Sequence, residues 1–425
     1  RWRQTFRRQR AINNPSMYLL PDDTVRPMGQ RPPEISRRPS LLWAHALSLA
    51  LLLCAPTHSP AADGTGTHAA KPGAAKKMHP AKPRSKVRSD VDPDIVTYGR
   101  RADVMQFATE IAARQGLDVE AVQATLAQSR FVPDVVKFIM PPPTGTAKNW
   151  AAYRARFIEP RRVRAGVEFW RVNETWLARA EQRYGVPPEI VVGIVGVETL
   201  YGRHMGSFRV IDALATLSFD FPRERKDRSA FFRDELEQLL VLGQREGSDP
   251  LALKGSYAGA LGMPQFMPSS VNKYALDFDG DGHIDLHGSA ADVIGSVAHY
   301  LAEFGWQRGL PTHFEVTPPS DPGERALLLA PDIVPSFTAQ QFLEHGAVFG
   351  ARAPDLAASD AGTAGDGEGT AHDVGLLALV ELQNGDAAPS HVAGTANFYV
   401  ITRYNWSSYY ALAVIDLGTA VKGAR

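Results

Sequence analysis

Eight consecutive residues, Ile190-Val191-Val192-Gly193-Ile194-Val195-Gly196-Val197, carry no polar side chain. Pro187 and Pro188 precede them and open a helix. Glu189 falls in its first turn, where a carboxylate meets the positive end of the helix dipole. A helix that is apolar on every side has no face to give to water, so it must run through the middle of a folded unit with other elements packed around it. Glu198 closes the run. A carboxyl group in such surroundings is expensive to ionise. Its pKa rises and it holds a proton near neutral pH, the property a general acid needs. A glutamate at a helix end can instead reach water or an arginine and serve structure alone. The apolar context favours use, because carboxylates are rarely set among such residues without a task.

With 425 residues, the chain is long enough for more than one compact unit, and its 44% hydrophobic and 22% charged residues are those of an ordinary globular protein. Lys+Arg and Asp+Glu both number 46, a net charge of zero that gives no electrostatic case for nucleic acid or an anionic membrane. Basic residues nevertheless crowd the first 90 positions. Arg37 and Arg38 precede the apolar stretch Leu41 to Leu53, and small residues follow near Ala61 and Ala62, the arrangement of a secretory signal. The stretch is too short to span a bilayer comfortably. Residues ahead of Met17 or Met28 read as an over-extended start, so 1–61 is assigned to that start plus a signal peptide. Cys54, the single cysteine, rules out an internal disulfide. It stands where a lipoprotein's acylated cysteine would, with Leu53 in place of the small residue such signals prefer. Two readings remain open: a weak lipobox with an outer-membrane lipid anchor, or an ordinary cysteine inside a removed signal. Both make the protein an exported, periplasmic one.

Residues 62–90 are mostly Ala, Pro, Lys and Gly, a composition that cannot bury enough surface to order itself, and read as a disordered basic linker. From about Val91 helical spacing begins, with Phe107, Ile111, Val119, Val122 and Leu126 on one face, until Pro141-Pro142-Pro143. A second helical run extends from Trp150 through Tyr184, and the period returns in Phe231–Leu242 and Ala291–Phe304. After Pro311 come short apolar runs such as Ala326–Leu329 and Leu376–Leu382, which read as a β-containing subdomain. Residues 352–373, rich in Ala, Gly, Asp and Thr, read as a disordered insertion within it. Thr395–Val421 closes the chain, aromatic and then helical.

Four segments, GVETLYG (196–202), DALATLSF (212–219), GALGMPQFMPSS (259–270) and DFDGDGHIDL (277–286), resemble in content and order the lytic murein transglycosylase B family. The resemblance runs from about residue 91 to the end. It implies a mainly α (α+β) fold. An N-terminal helical domain (91–185) would pack on a lysozyme-like catalytic core with an EF-hand-like loop (186–310), and 311–425 would hold the small β-containing subdomain and a C-terminal helix closing the cleft. It also implies a periplasmic lyase that cleaves the MurNAc-β-1,4-GlcNAc bond of peptidoglycan glycan strands, with Glu198 as acid and then base. In that chemistry the sugar's own 6-hydroxyl attacks the anomeric carbon and leaves a 1,6-anhydro end. No second acid lies near Glu198 in the sequence, whereas ordinary glycoside hydrolysis uses two. A hydrolytic muramidase, or a non-catalytic wall-binding scaffold, remains an alternative.

The resemblance places further residues against the sugar: Gln265 in the Gly-rich turn, Tyr153 in YRARF, Arg223 in FPRER, and Tyr404, Asn405 and Tyr410 in ITRYNWSSYY. Glu224 to Asp227 split the family's paired arginine and leave Arg228 as its second member. Ser269 or Ser270 would cap the helix after the turn. The spacing of Asp277, Asp279, Asp281, Gly282 and Ile284 matches most of an EF-hand loop, with His283 between them. Gly288 takes the usual closing glutamate's place, and Asp292 resembles the acid that closes a lengthened loop. A structural calcium is therefore expected, with no cofactor required for the chemistry. A monomer is expected, with envelope synthases or amidases as protein partners.

Overall fold

The computed structural model describes residues 96–141, 148–350 and 374–425. The signal-like stretch, Cys54, the basic linker and the 352–373 insertion lie outside them. Among the described residues the chain is mainly helical: α1 (Ala102–Gln115), α2 (Val119–Ala127), α3 (Pro133–Ile139), α4 (Trp150–Ala155), α5 (Pro160–Val172), α6 (Glu174–Tyr184), α7 (Pro188–Thr199), α8 (Val210–Phe219), α9 (Ser229–Glu246), α10 (Pro268–Tyr274), α11 (Ala290–Glu303), α12 (Pro322–Leu329), α13 (Ala339–Glu344), α14 (Ala396–Tyr404) and α15 (Ser408–Gly423). The strands are β1 (Phe208–Arg209), β2 (Lys254–Gly255), β3 (His313–Thr317), β4 (Val348–Phe349), β5 (Ala378–Asn384) and β6 (Ala387–Gly394). No described helix is long and apolar enough to cross a membrane.

Local chemistry explains the boundaries. The run from Trp150 to Tyr184 is three helices rather than one. Glu159 stands before Pro160, where the α region is disfavoured, and caps α5 by accepting from Arg161 N and Arg162 N; Asn173 separates α5 from α6. Ala326–Leu329, grouped by its texture with strand-like runs, lies in α12. The Asp321-Pro322 pair starts that helix, with Asp321 accepting from Gly323 N and Glu324 N. Ser269 and Ser270 do not cap α10; Met267 occupies the cap position without a side-chain bond. The buried carboxylate of Glu235 on α9 performs the task instead, accepting from Ser269 N at 2.9 Å and Ser269 Oγ at 2.7 Å.

Every residue from Ile190 to Val197 is buried. Around α7 lie α15, α5, α6 and α11. The approach of α15 is close because three positions lack side chains. A Cβ on Gly193 would sit 2.2 Å from the Val414 carbonyl oxygen, one on Gly418 2.1 Å from the Glu189 carbonyl oxygen, and one on Gly196 would strike Tyr201 and Leu417. This contact brings the start of α15 over the end of α7. The helices on either side share one large apolar core, which includes Ile111, Leu126, Leu214, Leu239, Ile294 and Val414.

A second, smaller core of Phe314, Leu328, Phe342, Leu377 and Leu379 lies under a four-stranded antiparallel sheet of order β4-β3-β6-β5. The β5–β6 hairpin turns at Gly385-Asp386, with Gly385 at φ 65°. Its tip reaches back to α4, where Gly385 N donates to Lys148 O at 2.9 Å and Ala151 N donates to Asn384 Oδ1 at 3.2 Å.

Candidate active site

Glu198 lies in the last turn of α7, where the negative end of the helix dipole adds to the difficulty of ionising a carboxyl. The chain then turns sharply through Leu200 (φ 51°) and Tyr201 (φ 57°). Two successive side-chain-bearing residues in the left-handed region are strained, and the surroundings hold them. Thr199 Oγ1 donates to Met263 O at 2.9 Å and accepts from Gly202 N at 3.0 Å, His204 N donates to Thr199 O at 2.9 Å, and Phe169 stacks on Tyr201 at 5.3 Å. Thr199 was not singled out from sequence. Its position directly after the acid, with a hydroxyl at the start of a turn, was the available cue.

Tyr410, 1% exposed near the start of α15, donates its hydroxyl to Glu198 Oε1 at 2.6 Å. Tyr404 stacks on Tyr410 with ring centroids 6.3 Å apart and planes 13° from parallel, and donates to Pro264 O at 2.6 Å. Burial, and then the nearby Glu198 charge, push the Tyr153, Tyr404 and Tyr410 hydroxyls above their ordinary pKa, so all three stay protonated donors. Glu198 keeps a solvent-facing edge. Burial of its carboxyl nonetheless raises the pKa to about 7, against the opposing pull of the Tyr410 hydrogen bond. No other carboxylate among the described residues contributes to that shift.

Gln265 has φ 53°, and its Nε2 donates to Met205 O at 3.2 Å and Gly262 O at 2.9 Å, tying the Gly-rich turn to the corner after Glu198. Asn405 follows α14, and its Oδ1 is buried without a hydrogen-bond partner. Tyr153 on α4 packs against Trp150, Phe157 and Tyr409. Tyr153, Tyr404 and Tyr410 are thus brought to Glu198. Arg223 is exposed on its loop. Two other arginines of that loop turn inward: Arg225 donates to Ile139 O, and Arg228 lies 4.9 Å from the Phe231 ring centroid.

The acidic loop gathers carboxylate oxygens of Asp277, Asp279 and Asp292 within 4.8 Å of one another. Asp292 is fixed from the first turn of α11, accepting from Phe278 N at 2.7 Å and Asp285 N at 2.8 Å. Asp281 turns its carboxylate to His283 N at 2.8 Å, and the His283 side chain is exposed; neither joins the cluster. Three carboxylates this close repel one another unless a cation sits between them, and oxygen donors suit a hard ion such as calcium.

One protonatable carboxyl thus stands at the end of a central apolar helix, beside tyrosines and without a carboxylate partner among the described residues. The chain belongs to the transglycosylase SLT domain family, whose pattern matches residues 99–419. It is 38% identical over 336 residues to the membrane-bound lytic murein transglycosylase B of Escherichia coli K12, covering 77% of this chain and 85% of that one. Among solved structures it resembles the Escherichia coli lytic transglycosylase Slt35 in complex with calcium, at 38% identity and a TM-score of 0.62 over 77% of this chain and 95% of that one. It also resembles Pseudomonas aeruginosa SltB3 in complex with NAG-anhNAM-pentapeptide, at 30% identity and a TM-score of 0.60 over 76% and 79%. The protein is a lytic murein transglycosylase, a lyase acting on peptidoglycan.

Proposed function

We propose that Glu198 carries the whole proton traffic of MurNAc-β-1,4-GlcNAc cleavage. Protonated, it donates to the glycosidic oxygen as the C1–O bond breaks. The carboxylate so formed then takes the proton of the muramoyl 6-hydroxyl while O6 bonds to C1, closing the 1,6-anhydro ring and restoring the acid. The 2-acetamido oxygen of the sugar stabilises the positive intermediate in place of a second carboxylate. The observation that carries this reading is the pairing of Glu198 with Tyr410 and with no carboxylate. An ordinary two-carboxylate hydrolase uses a second carboxyl group at roughly 5–9.5 Å. The anhydro sugar bound by SltB3 supports the same product here.

Half-buried Tyr153 and Tyr404 offer ring edges to sugars, and Asn405, Gln265 and the exposed Arg223 offer polar contacts along the strand, whereas Tyr410, buried against Glu198, acts through the acid and is no sugar platform. Asp277, Asp279 and Asp292 would hold a structural calcium that fixes the loop and takes no part in the chemistry, in line with the calcium complex of Slt35. The enzyme works in the periplasm after export, with Cys54 as a candidate lipid attachment point, a placement supported by the membrane-bound relative. Digestion of purified sacculi by the wild type and by Glu198→Gln tests the reading. Mass spectrometry should find anhydro ends, one water lighter than reducing ends, from the wild type alone. Reducing ends, or lysis by the variant, would overturn it.

A further inference from the structure

We infer that the β5–β6 hairpin of the small sheet is a positioning device for the catalytic acid: it grips α4 and thereby seats Tyr153 against Glu198. The local sequence gives α4 one cap, Asn149 Oδ1 accepting from Ala152 N at 2.9 Å. It is a helix of only six residues, and isolated helices of that length do not persist in water. Its start is fixed further from the hairpin tip. Asn149 and Asn384 form an isolated antiparallel bridge, Gly385 N donates to Lys148 O at 2.9 Å, and Ala151 N donates to Asn384 Oδ1 at 3.2 Å. Asn384 is itself held, with Nδ2 donating to Ala388 O at 3.0 Å and Ser390 Oγ at 3.1 Å. A second tie runs through Tyr409, whose hydroxyl donates to Gln383 O at 3.1 Å and whose ring meets Trp150 and Tyr153 edge-on at 5.8 and 5.7 Å. At the far end of the helix, Arg154 pairs with Asp416 of α15.

The consequence falls on Glu198. Tyr153 is among the groups that feel its charge, and its ring meets Tyr409, the neighbour of the Tyr410 that donates to Glu198, so the ring that the hairpin seats stands beside the acid's own hydrogen-bond partner. Loosening the grip admits water, and the acid then ionises more readily. Asn384 therefore acts through α4 as a positioning residue, which distinguishes it from a contact that merely stabilises the small sheet. Gly385 suits the tip because its φ of 65° is strained for other residues and a Cβ would lie 3.2 Å from Asn149 Nδ2.

The test uses Asn384→Ala, which deletes the acceptor for Ala151 N. Tyr409→Phe cuts the second tie and leaves the ring. Asp386→Ala, an exposed change in the same turn, is the control. Turnover of soluble glycan strands is followed from pH 5 to 9. Asn384→Ala should lower kcat about tenfold, as displaced catalytic geometry does, and move the alkaline limb of kcat down by about half a unit or more. Tyr409→Phe should move it the same way by less, and Asp386→Ala should keep the wild-type limb. An alkaline limb unmoved in both Asn384→Ala and Tyr409→Phe overturns the inference, whatever happens to kcat. The inference rests on Glu198 being the acid. Lysis by Glu198→Gln would remove that premise, whereas an inert Glu198→Gln with an unmoved limb defeats the positioning role alone.

Discussion

Replacing Tyr410 by Phe isolates one of the two opposing influences on Glu198. Burial lifts the carboxyl to about 7, and the Tyr410 hydroxyl at 2.6 Å pulls the other way by stabilising the ionised form. A hydrogen bond to a charged group contributes about 1.5–3 kcal/mol, and each pKa unit corresponds to about 1.4 kcal/mol. Loss of the hydroxyl should therefore raise the Glu198 pKa by about one to two units. The ring remains, so the stack on Tyr404 and the packing of α15 on α7 persist. In the proposed mechanism only protonated Glu198 opens the glycosidic bond, so activity falls as pH rises through its pKa, and the alkaline limb of kcat/KM should move upward by that amount. On the plateau kcat should fall about tenfold, because the carboxylate formed in the first step has lost its donor. The assay is release of anhydro-ended fragments from soluble glycan strands between pH 5 and 10. A limb that stays still or moves down would refute the assignment of Tyr410 as the group that restrains this acid. The direction is opposite to that expected for Asn384→Ala, so the two variants bracket the wild type.

Glu198→Gln should stabilise the fold in alkali. The folded pKa of about 7 lies above the ordinary 4.5, so the proton's contribution to stability is present below 4.5 and lost as pH rises through 7. About 2.5 units corresponds to roughly 3 kcal/mol, and the melting temperature of the variant relative to wild type should climb by a few degrees between pH 4 and 8.5; a flat difference would argue against a buried, raised acid. Calcium in the millimolar range should stabilise the wild type, by about 2.7 kcal/mol at a hundredfold excess over its dissociation constant, and so raise its melting temperature, with magnesium less effective. Asp292→Asn should abolish the response, and an equal response in that variant would place the ion elsewhere. Gly418→Ala should destabilise the protein by about 1–3 kcal/mol and reduce turnover, because its Cβ would meet the Glu189 carbonyl at 2.1 Å and push α15, with Tyr410, away from α7. Denaturant melts and wall digestion check both effects.

What could be read from the sequence was what short spacing encodes. The apolar run located the central helix, because eight side chains without polarity leave a helix no exposed face, and every one of them is buried. The acidic loop was legible for the same reason, since Asp277 and Asp279 are brought together by a turn of a few residues. Asp281 shows where spacing stops: its carboxylate bonds its own loop at His283 N instead of joining the cluster, a choice of rotamer that the pattern does not contain. Ser269 met Glu235, 34 residues upstream, and so did not cap its helix. The glycines at 193 and 196 were visible but read only as part of the run; their use as the contact with α15 depends on Gly418 and Val414, more than 200 positions later.

The same distinction explains how one carboxyl can serve as acid and then as base. Each role is cheap only if neither protonation state is strongly favoured near the working pH, so the pKa has to lie in the middle range. Burial alone supplies a rise with no brake, and a buried glutamate without a partner would give up its proton poorly. The brake is a hydroxyl from the end of the chain, 212 residues from the acid. The seat is an aromatic ring on a short helix pinned by a hairpin of another layer. The acid is local information, legible in eight apolar residues and the glutamate that follows. Its tuning is tertiary, and it is in the tuning that a proton donor becomes a group able to take the proton back.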